Sequence, residues 1–281
     1  MSGEILRLGL IGDNIAASRA PELHVRAGRL EGRTVTYERL VPGARGEDFA
    51  RTFEAARRAG FRGVNVTYPY KEAVVPLLRA ADPRVAVLGA ANTVLFEPAG
   101  PKGFNTDWSG FVAAYRVRFA ARRAGRVCLV GAGGIGKAVA FGLLEFAPQA
   151  LVLHDRDGAR AEALARSLRT AAPGLEVTVS GDVAEASRDA EGIVNCTPLG
   201  MTGHPGSPVP PHCLDGPGWA FDAVYTPART QFLKDAARAG RTCLPGTELF
   251  FHQGLHAAEL FLGAPLVEAD LRRALAEEGE V

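Results

Sequence analysis

The sequence predicts an α/β protein of two domains, on three grounds. Short apolar runs alternate with helical patterns along most of the chain. A glycine-rich turn, Gly131-Ala-Gly-Gly-Ile-Gly136, lies between one such run and a helical stretch. The length, 281 residues, is nearly twice the ~150 residues of a single domain.

The elements follow in order. Residues 6–11 read as a buried strand, and residues 21–30 as a helix whose leading proline suits a first turn. Residues 35–40 form a second strand, and 47–59 a helix closed by Gly60. Residues 62–66 are a third strand, followed by a polar turn and a helix near 71–78. Residues 93–96 make another short strand, and the turn-rich stretch 98–103 reads as a hairpin or loop and not as a linker. A helical pattern over 109–124 stops at Gly125, and the domain change is placed within it. From Arg126 the pattern is regular, with strands over 127–130, 150–154, 176–180, 192–195, 219–223 and 242–244. Six such strands fit a doubly wound sheet. A proline- and glycine-rich loop covers 198–217, a long helix 247–262, and a final amphipathic helix runs to about 277. The expected domains are 1–108, with 247–281 packing back on it, and 109–246.

Composition removes several function classes. Thirty-two Lys and Arg against 31 Asp and Glu leave a net charge of +1, so no global field attracts nucleic acid or an anionic membrane. No apolar run is long enough to span a bilayer, and the N-terminus has no signal-like apolar segment, so a cytoplasmic protein is expected. Cys128, Cys196, Cys213 and Cys243 show no paired spacing, which argues against zinc and against a disulfide framework. His24, His252 and His256 lack an accompanying carboxylate arrangement, so no metal site is expected.

The glycine turn carries chemistry. Gly131, Gly133 and Gly136 stand in the G-x-G-x-x-G order, directly after an apolar strand and before a helix. The first glycine permits the tight turn, the second admits a pyrophosphate to the backbone, and the third lets helix and strand pack closely. Ala132, Gly134 and Ile135 complete the loop, whose amides face the phosphates at the helix N-terminus. Asp155 follows the next strand, where an acid binds the adenosine ribose hydroxyls. A carboxylate there repels a 2′-phosphate and favours NAD over NADP, whereas neighbouring Arg156 could pair with that phosphate. A dinucleotide-binding, Rossmann-type domain follows, with NAD expected and NADP left open.

Most other unusual polar segments lie ahead of this domain: residues 13–24, Asn65-Val-Thr-Tyr-Pro-Tyr-Lys71, Ala91-Asn-Thr93 and Asn105-Thr-Asp107. Each ends a predicted strand or fills the turn after one, where α/β proteins place sites. Such clusters suit a small polyhydroxylated substrate, and a Lys/Asp pair can handle a proton.

These segments resemble the shikimate dehydrogenase family over essentially the whole chain. The resemblance rests on Gly9-Leu-Ile-Gly12 with Ser18 and Pro21, on the polar segments just named and on Gly131–Gly136. It rests further on Asn195-Cys-Thr-Pro-Leu-Gly-Met201, Asp222-Ala-Val-Tyr225 and Gln253. Asp155, Ser18-Arg19 and His204-Pro-Gly206 look more like its NAD-using quinate/shikimate branch. The resemblance implies two domains with the site in the cleft between them, and hydride transfer between the nicotinamide and a ring alcohol carbon. It implies that Lys71 is the general acid/base, with Asp107 bonded to it and to the substrate. By the same likeness Asn65, Thr67, Asn92 and Gln253 hold ring hydroxyls. Ser18 and Tyr225 contact the carboxylate side, and Thr197, Met201 and Gly246 lie along the nicotinamide. No metal is needed for such a reaction.

Two positions depart from the family pattern. The carboxylate is usually held by hydroxyls spaced Ser-x-Ser or Ser-x-Thr, but this chain has Ser18 and Ala20. A lost hydrogen bond to a charged group costs roughly 1.5–3 kcal/mol, about 10- to 150-fold in binding, where nothing replaces it. Ala17 stands where biosynthetic members carry histidine. Two other functions therefore stay open: a dehydrogenase of another cyclic polyol or hydroxy acid, and a non-catalytic dinucleotide-binding sensor. A homodimer is compatible with the sequence and not specified by it.

Overall fold

The computed structural model describes residues 5–277, the Arg45 side chain excepted. It divides into two units: the chain up to Thr106 together with the chain from Gln253 onward, and Asp107–His252.

The first unit holds β1 (Leu6–Ile11), α1 (Ala20–Leu30), β2 (Val35–Leu40), α2 (Phe49–Arg58) and β3 (Gly63–Val66). It continues through β4 (Ala80–Ala81), α3 (Pro83–Leu88), β5 (Thr93–Glu97) and β6 (Gly100–Phe104). The strands form one sheet in the order β2-β1-β3-β5-β6-β4. β1 runs parallel to β2 and β3, while β5 is antiparallel to both β3 and β6. The Asp48 carboxylate starts α2 by accepting the Arg51 N–H at 2.8 Å, a cap worth about 1 kcal/mol. Phe49, Phe53 and Ala56 then lie on one face of α2 and pack with Ile11, Val64, Val66 and Val94.

The helix expected near 71–78 does not form. Those residues turn, with a single 3₁₀ turn at Val75–Leu77. Pro76 has no N–H and its ring collides with the preceding helical turn, so an α-helix cannot continue through it. The next helix, α3, was not read from the sequence although its signals are local. The Asp82 side chain accepts the Arg84 N–H, Pro83 opens the helix, and Gly89 closes it at φ +62°. The stretch 98–103 forms the turn and second strand of the β5–β6 hairpin.

The second unit contains α4 (Thr106–Phe119), β7 (Gly125–Val130), α5 (Gly134–Leu143), β8 (Pro148–His154), α6 (Gly158–Ala171) and β9 (Glu176–Val179). Then come α7 (Val183–Ala186), β10 (Gly192–Asn195), β11 (Trp219–Asp222), α8 (Gln231–Arg238), β12 (Thr242–Leu244) and α9 (Gly246–Leu262). All six strands are parallel, in the order β12-β11-β10-β7-β8-β9. The chain starts in the middle, winds out to β9, then returns to the other side at β10. The switch point therefore lies between β7 and β10, where doubly wound sheets bind ligands. Phe111 and Tyr115 of α4 pack on Phe221 and Trp219. Trp219 lies over Gly192, where a Cβ would come within 2.3 Å of the indole. α4 stops at Phe119, earlier than the expected 124, because Ala120 turns left-handed at φ +53°.

α9 carries the chain back into the first unit. There Gly254 abuts Leu23 of α1, where a Cβ would lie 2.5 Å from the leucine methyl. α10 (Glu268–Ala276) follows, and Arg26 of α1 donates to the Ala274 carbonyl. Among the described residues no helix is long and apolar enough to cross a membrane.

Candidate active site

The site builds from the C-terminal ends of the strands in each unit. In the second unit β7 ends at Val130 and the chain turns at Gly131, with φ +101°. A Cβ on Gly131 would lie 2.8 Å from the Cys196 carbonyl, and one on Gly136 only 1.9 Å from the Gly131 oxygen. A Cβ on Gly133 would meet nothing within 4 Å, so the turn faces open space there. No side chain caps α5, whose first-turn amides at Gly134 and Ile135 remain for an anion. Asp155 closes the arrangement. Its Oδ2 accepts the Ala132 N–H at 2.7 Å and its Oδ1 the Asp157 N–H at 2.8 Å. An ionised carboxylate has about four lone-pair sites, so acceptor capacity remains for two hydroxyls. Arg156, next along, is exposed. A dinucleotide fits these residues: the space at Gly133 is open, the first amides of α5 are uncapped, and Asp155 keeps acceptor capacity beside the turn.

A buried polar cluster lies across the switch point. Asp222 ends β11, and its carboxylate accepts from Thr230 Oγ1 at 2.5 Å, Asn195 Nδ2 at 2.9 Å and the Val224 N–H at 2.9 Å. Asn195 Oδ1 accepts the Thr197 hydroxyl at 2.7 Å and the Thr197 N–H at 3.0 Å. Burial raises the Asp222 carboxyl pKa to about 6, against the opposing pull of those donors. This cluster fixes Thr197 and the start of the 198–217 loop. Met201 on that loop is 38% exposed, with its N–H on the Pro198 carbonyl at 3.0 Å. Gly246 approaches the end of β11 so closely that a Cβ would lie 2.5 Å from the Val224 oxygen. Tyr225 stacks on Phe250 with centroids 4.7 Å apart. Asp222 and Thr230 were missed as supports, although the Asp222-Ala-Val-Tyr225 motif had flagged the acid.

In the first unit the backbone gathers the polar segments. A Cβ on Gly12 would lie 2.2 Å from the Thr67 methyl, so this glycine admits Thr67 to the end of β1, where its N–H reaches the Ile11 carbonyl at 2.9 Å. The Ala91 N–H binds the half-buried Lys71's carbonyl at 2.9 Å, and the Asn92 carbonyl accepts the Val66 N–H at 2.9 Å. Asn92 Oδ1 accepts the Thr106 N–H at 2.7 Å, which fixes the amide's orientation and leaves its Nδ2 hydrogens facing out of this network. Ser18, at the mouth of α1, accepts the Ala20 N–H on its hydroxyl oxygen at 3.3 Å. Ser18, Asn65, Thr67, Lys71 and Asn92 thus share one edge of the sheet. Gln253 is half-buried on α9 beside Gly254, and Asp107 is buried in the first turn of α4, directly after Thr106.

Asn65 is held from every side. Its Nδ2 donates to the Asn92 carbonyl at 3.3 Å and to Thr93 Oγ1 at 3.0 Å, while its Oδ1 accepts the Tyr37 hydroxyl at 2.8 Å. Both amide hydrogens are therefore directed into the protein. The His24 ring stacks on Tyr37 with centroids 5.0 Å apart and planes 8° apart. Burial lowers the His24 pKa to about 3, so the imidazole is neutral, and burial pushes the Tyr37 hydroxyl up. Sequence reasoning missed Tyr37 and treated His24 only as a rejected metal ligand. The one available signal was the alternation of β2, which puts Tyr37 and Arg39 on one face.

A strand-end carboxylate bonded to the glycine turn of a doubly wound sheet marks a dinucleotide-binding domain of the kind that nicotinamide-dependent oxidoreductases carry. Residues 10–94 match the shikimate dehydrogenase substrate binding domain. The chain is 40% identical to the quinate/shikimate dehydrogenase (NAD(+)) of Corynebacterium efficiens over 280 residues, 97% of each chain. Quinate dehydrogenase from Corynebacterium glutamicum in complex with NAD superposes at a TM-score of 0.90 with 36% identity, covering 98% of this chain and 100% of that one. Shikimate 5-dehydrogenase from Thermus thermophilus with NADP(H) and shikimate superposes at 0.83 with 32% identity, covering 97% and 99%. The chain belongs to the shikimate dehydrogenase family.

Proposed function

We propose that this protein interconverts shikimate and 3-dehydroshikimate with NAD, and accepts quinate at the same site. One observation carries the reading. The Ala91–Lys71 bond sets the lysine turn beside Asn92, and Asn92 is locked to Thr106, the residue before Asp107. The Lys71 backbone and the Asn92 amide are thereby held at one edge of the first unit's sheet, and Asp107 follows Thr106 directly in the chain, which supports a lysine and a carboxylate as the pair that an alcohol oxidation requires. Lys71 takes the hydroxyl proton as the ring carbon gives up its hydride, and Asp107 orients the lysine and the hydroxyl. The nicotinamide, when bound, supplies the hydride acceptor. Asn92, Thr67 and Gln253 bind ring hydroxyls, Asn65 does so through its remaining carbonyl lone pair, and Ser18 and Tyr225 take the carboxylate side. Gly131–Gly136 hold the pyrophosphate. Thr197, Met201 and Gly246 line the nicotinamide.

Asp155 supports NAD over NADP. Its two oxygens keep capacity for ribose hydroxyls, and its charge repels a 2′-phosphate, with the adjacent Arg156 opposing that effect. Cysteines that are all free suit a reducing cytoplasm, where we place the enzyme. A homodimer is one assembly compatible with the sequence, and sedimentation measures the state. The test of function is nicotinamide absorbance with shikimate, quinate and neutral cyclic polyols, each with NAD and NADP. Turnover of either acid with NAD is expected. Turnover of a neutral polyol alone, or tight NAD binding without any turnover, overturns the reading.

A further inference from the structure

We infer that Arg39 is a specificity-determining residue that binds the substrate carboxylate, supplying the contact that Ala20 cannot. The inference rests on the proposed carboxylate subsite at Ser18. Leu10 pairs with Arg39 on one side and Asn65 on the other, so all three side chains leave the same face of the sheet. Arg39 sits near the C-terminal end of β2, at the edge where the polar segments gather. Its Nη2 donates to the Ser18 carbonyl at 2.8 Å, which anchors the guanidinium at the mouth of α1. Its charge also reaches Tyr37, two residues before it on the same face.

The neighbouring charges are already matched. Glu38 pairs with Arg7 at 3.0 Å, and Arg19 with Glu22 at 3.2 Å. Among the described residues no carboxylate lies within ion-pair distance of Arg39, whose one bond is to Ser18. A guanidinium carries five N–H donors in a planar fork, so most remain for a ligand. Ser18 keeps its own O–H to donate, since its oxygen accepts from Ala20 N. Hydroxyl and guanidinium together give a carboxylate two donors from two elements, in place of two hydroxyls on one loop. A guanidinium meets a carboxylate with parallel N–H donors and an opposite charge, which offsets the missing hydroxyl.

The test compares shikimate with its methyl ester, which keeps the ring and loses the charge. Arg39→Gln is expected to raise the KM for shikimate and quinate about tenfold, with the KM for the ester and for NAD little changed. Arg39→Lys restores part of the loss, and added salt raises the acid KM in the unmodified enzyme more than in Arg39→Gln. In an Ala20→Ser background the Arg39→Gln effect shrinks, because a second hydroxyl is present. Equal losses for acid and ester mean that Arg39 only braces Ser18, and overturn the assignment. So does an unchanged acid KM in an enzyme that turns shikimate over. Absence of turnover of both acids by the unmodified enzyme overturns the underlying reading and the assignment with it.

Discussion

His24 makes the first unit labile to acid. The ring is buried against Tyr37 and Phe261, and its pKa falls from 6.5 to about 3. Protonation therefore favours the unfolded chain, which binds more protons than the folded one between pH 3 and pH 6.5. The stability this histidine confers is full above its unfolded pKa and is lost as the pH falls. For a single site the loss between pH 7.5 and pH 5.0 is about 2 kcal/mol, approaching about 5 kcal/mol below pH 3. Asp222 acts in the opposite sense. Its folded pKa of about 6 exceeds 3.8, so its carboxylate destabilises the fold at neutral pH, and about 1 kcal/mol returns by pH 5.0. The two effects partly cancel in the unmodified protein, and a variant isolates the histidine. Urea unfolding of the unmodified protein and His24→Gln at pH 7.5 and pH 5.0, followed by far-UV circular dichroism, makes the measurement. The unmodified protein should lose about 2 kcal/mol more than the variant over that interval. Equal losses refute the argument, because they mean the buried ring titrates alike in both states.

Three further outcomes are expected. Lys71→Ala should lower kcat about 10²- to 10⁴-fold while NAD affinity, read by fluorescence titration, stays unchanged; retained turnover removes the lysine from the proton step. Asp155→Asn should move the NAD-to-NADP ratio of kcat/KM about tenfold towards NADP, and an unmoved ratio denies the acid its selectivity. Gly136→Ala forces a Cβ to within 1.9 Å of the Gly131 oxygen, so it should cost about 1–3 kcal/mol in thermal unfolding and abolish NAD binding. Full NAD affinity in that variant would show that the turn adapts.

The glycine turn was legible because its causes are local. The run into Val130, the three glycines and Asp155 each state their chemistry within a few residues, and the Asp155–Ala132 bond joins features that the spacing had already paired. The turn at Lys71 was misread because a helix was carried through Pro76, which cannot continue one. α3 went unread although Asp82, Pro83 and Gly89 mark both its ends. The supports were not legible for a different reason. Tyr37 meets Asn65 from another strand, and Thr230 reaches Asp222 from the start of α8. Such bonds are set by tertiary packing, and no periodicity announces them. The same holds for Arg39, whose bond to Ser18 exists only once β2 and α1 are folded together.

The tethering of Asn65 bears on how this scaffold can change its diet. Rotating that amide would break its bonds to Asn92, Thr93 and Tyr37 together, so its orientation is fixed. Residues bound so tightly make a poor starting point for new chemistry, since almost any exchange leaves a buried partner unsatisfied. The rim at Ser18 and Ala20 has few such obligations. Substitutions at that rim should therefore cost less stability than substitutions of the floor around Asn65, whose buried partners would each lose a bond.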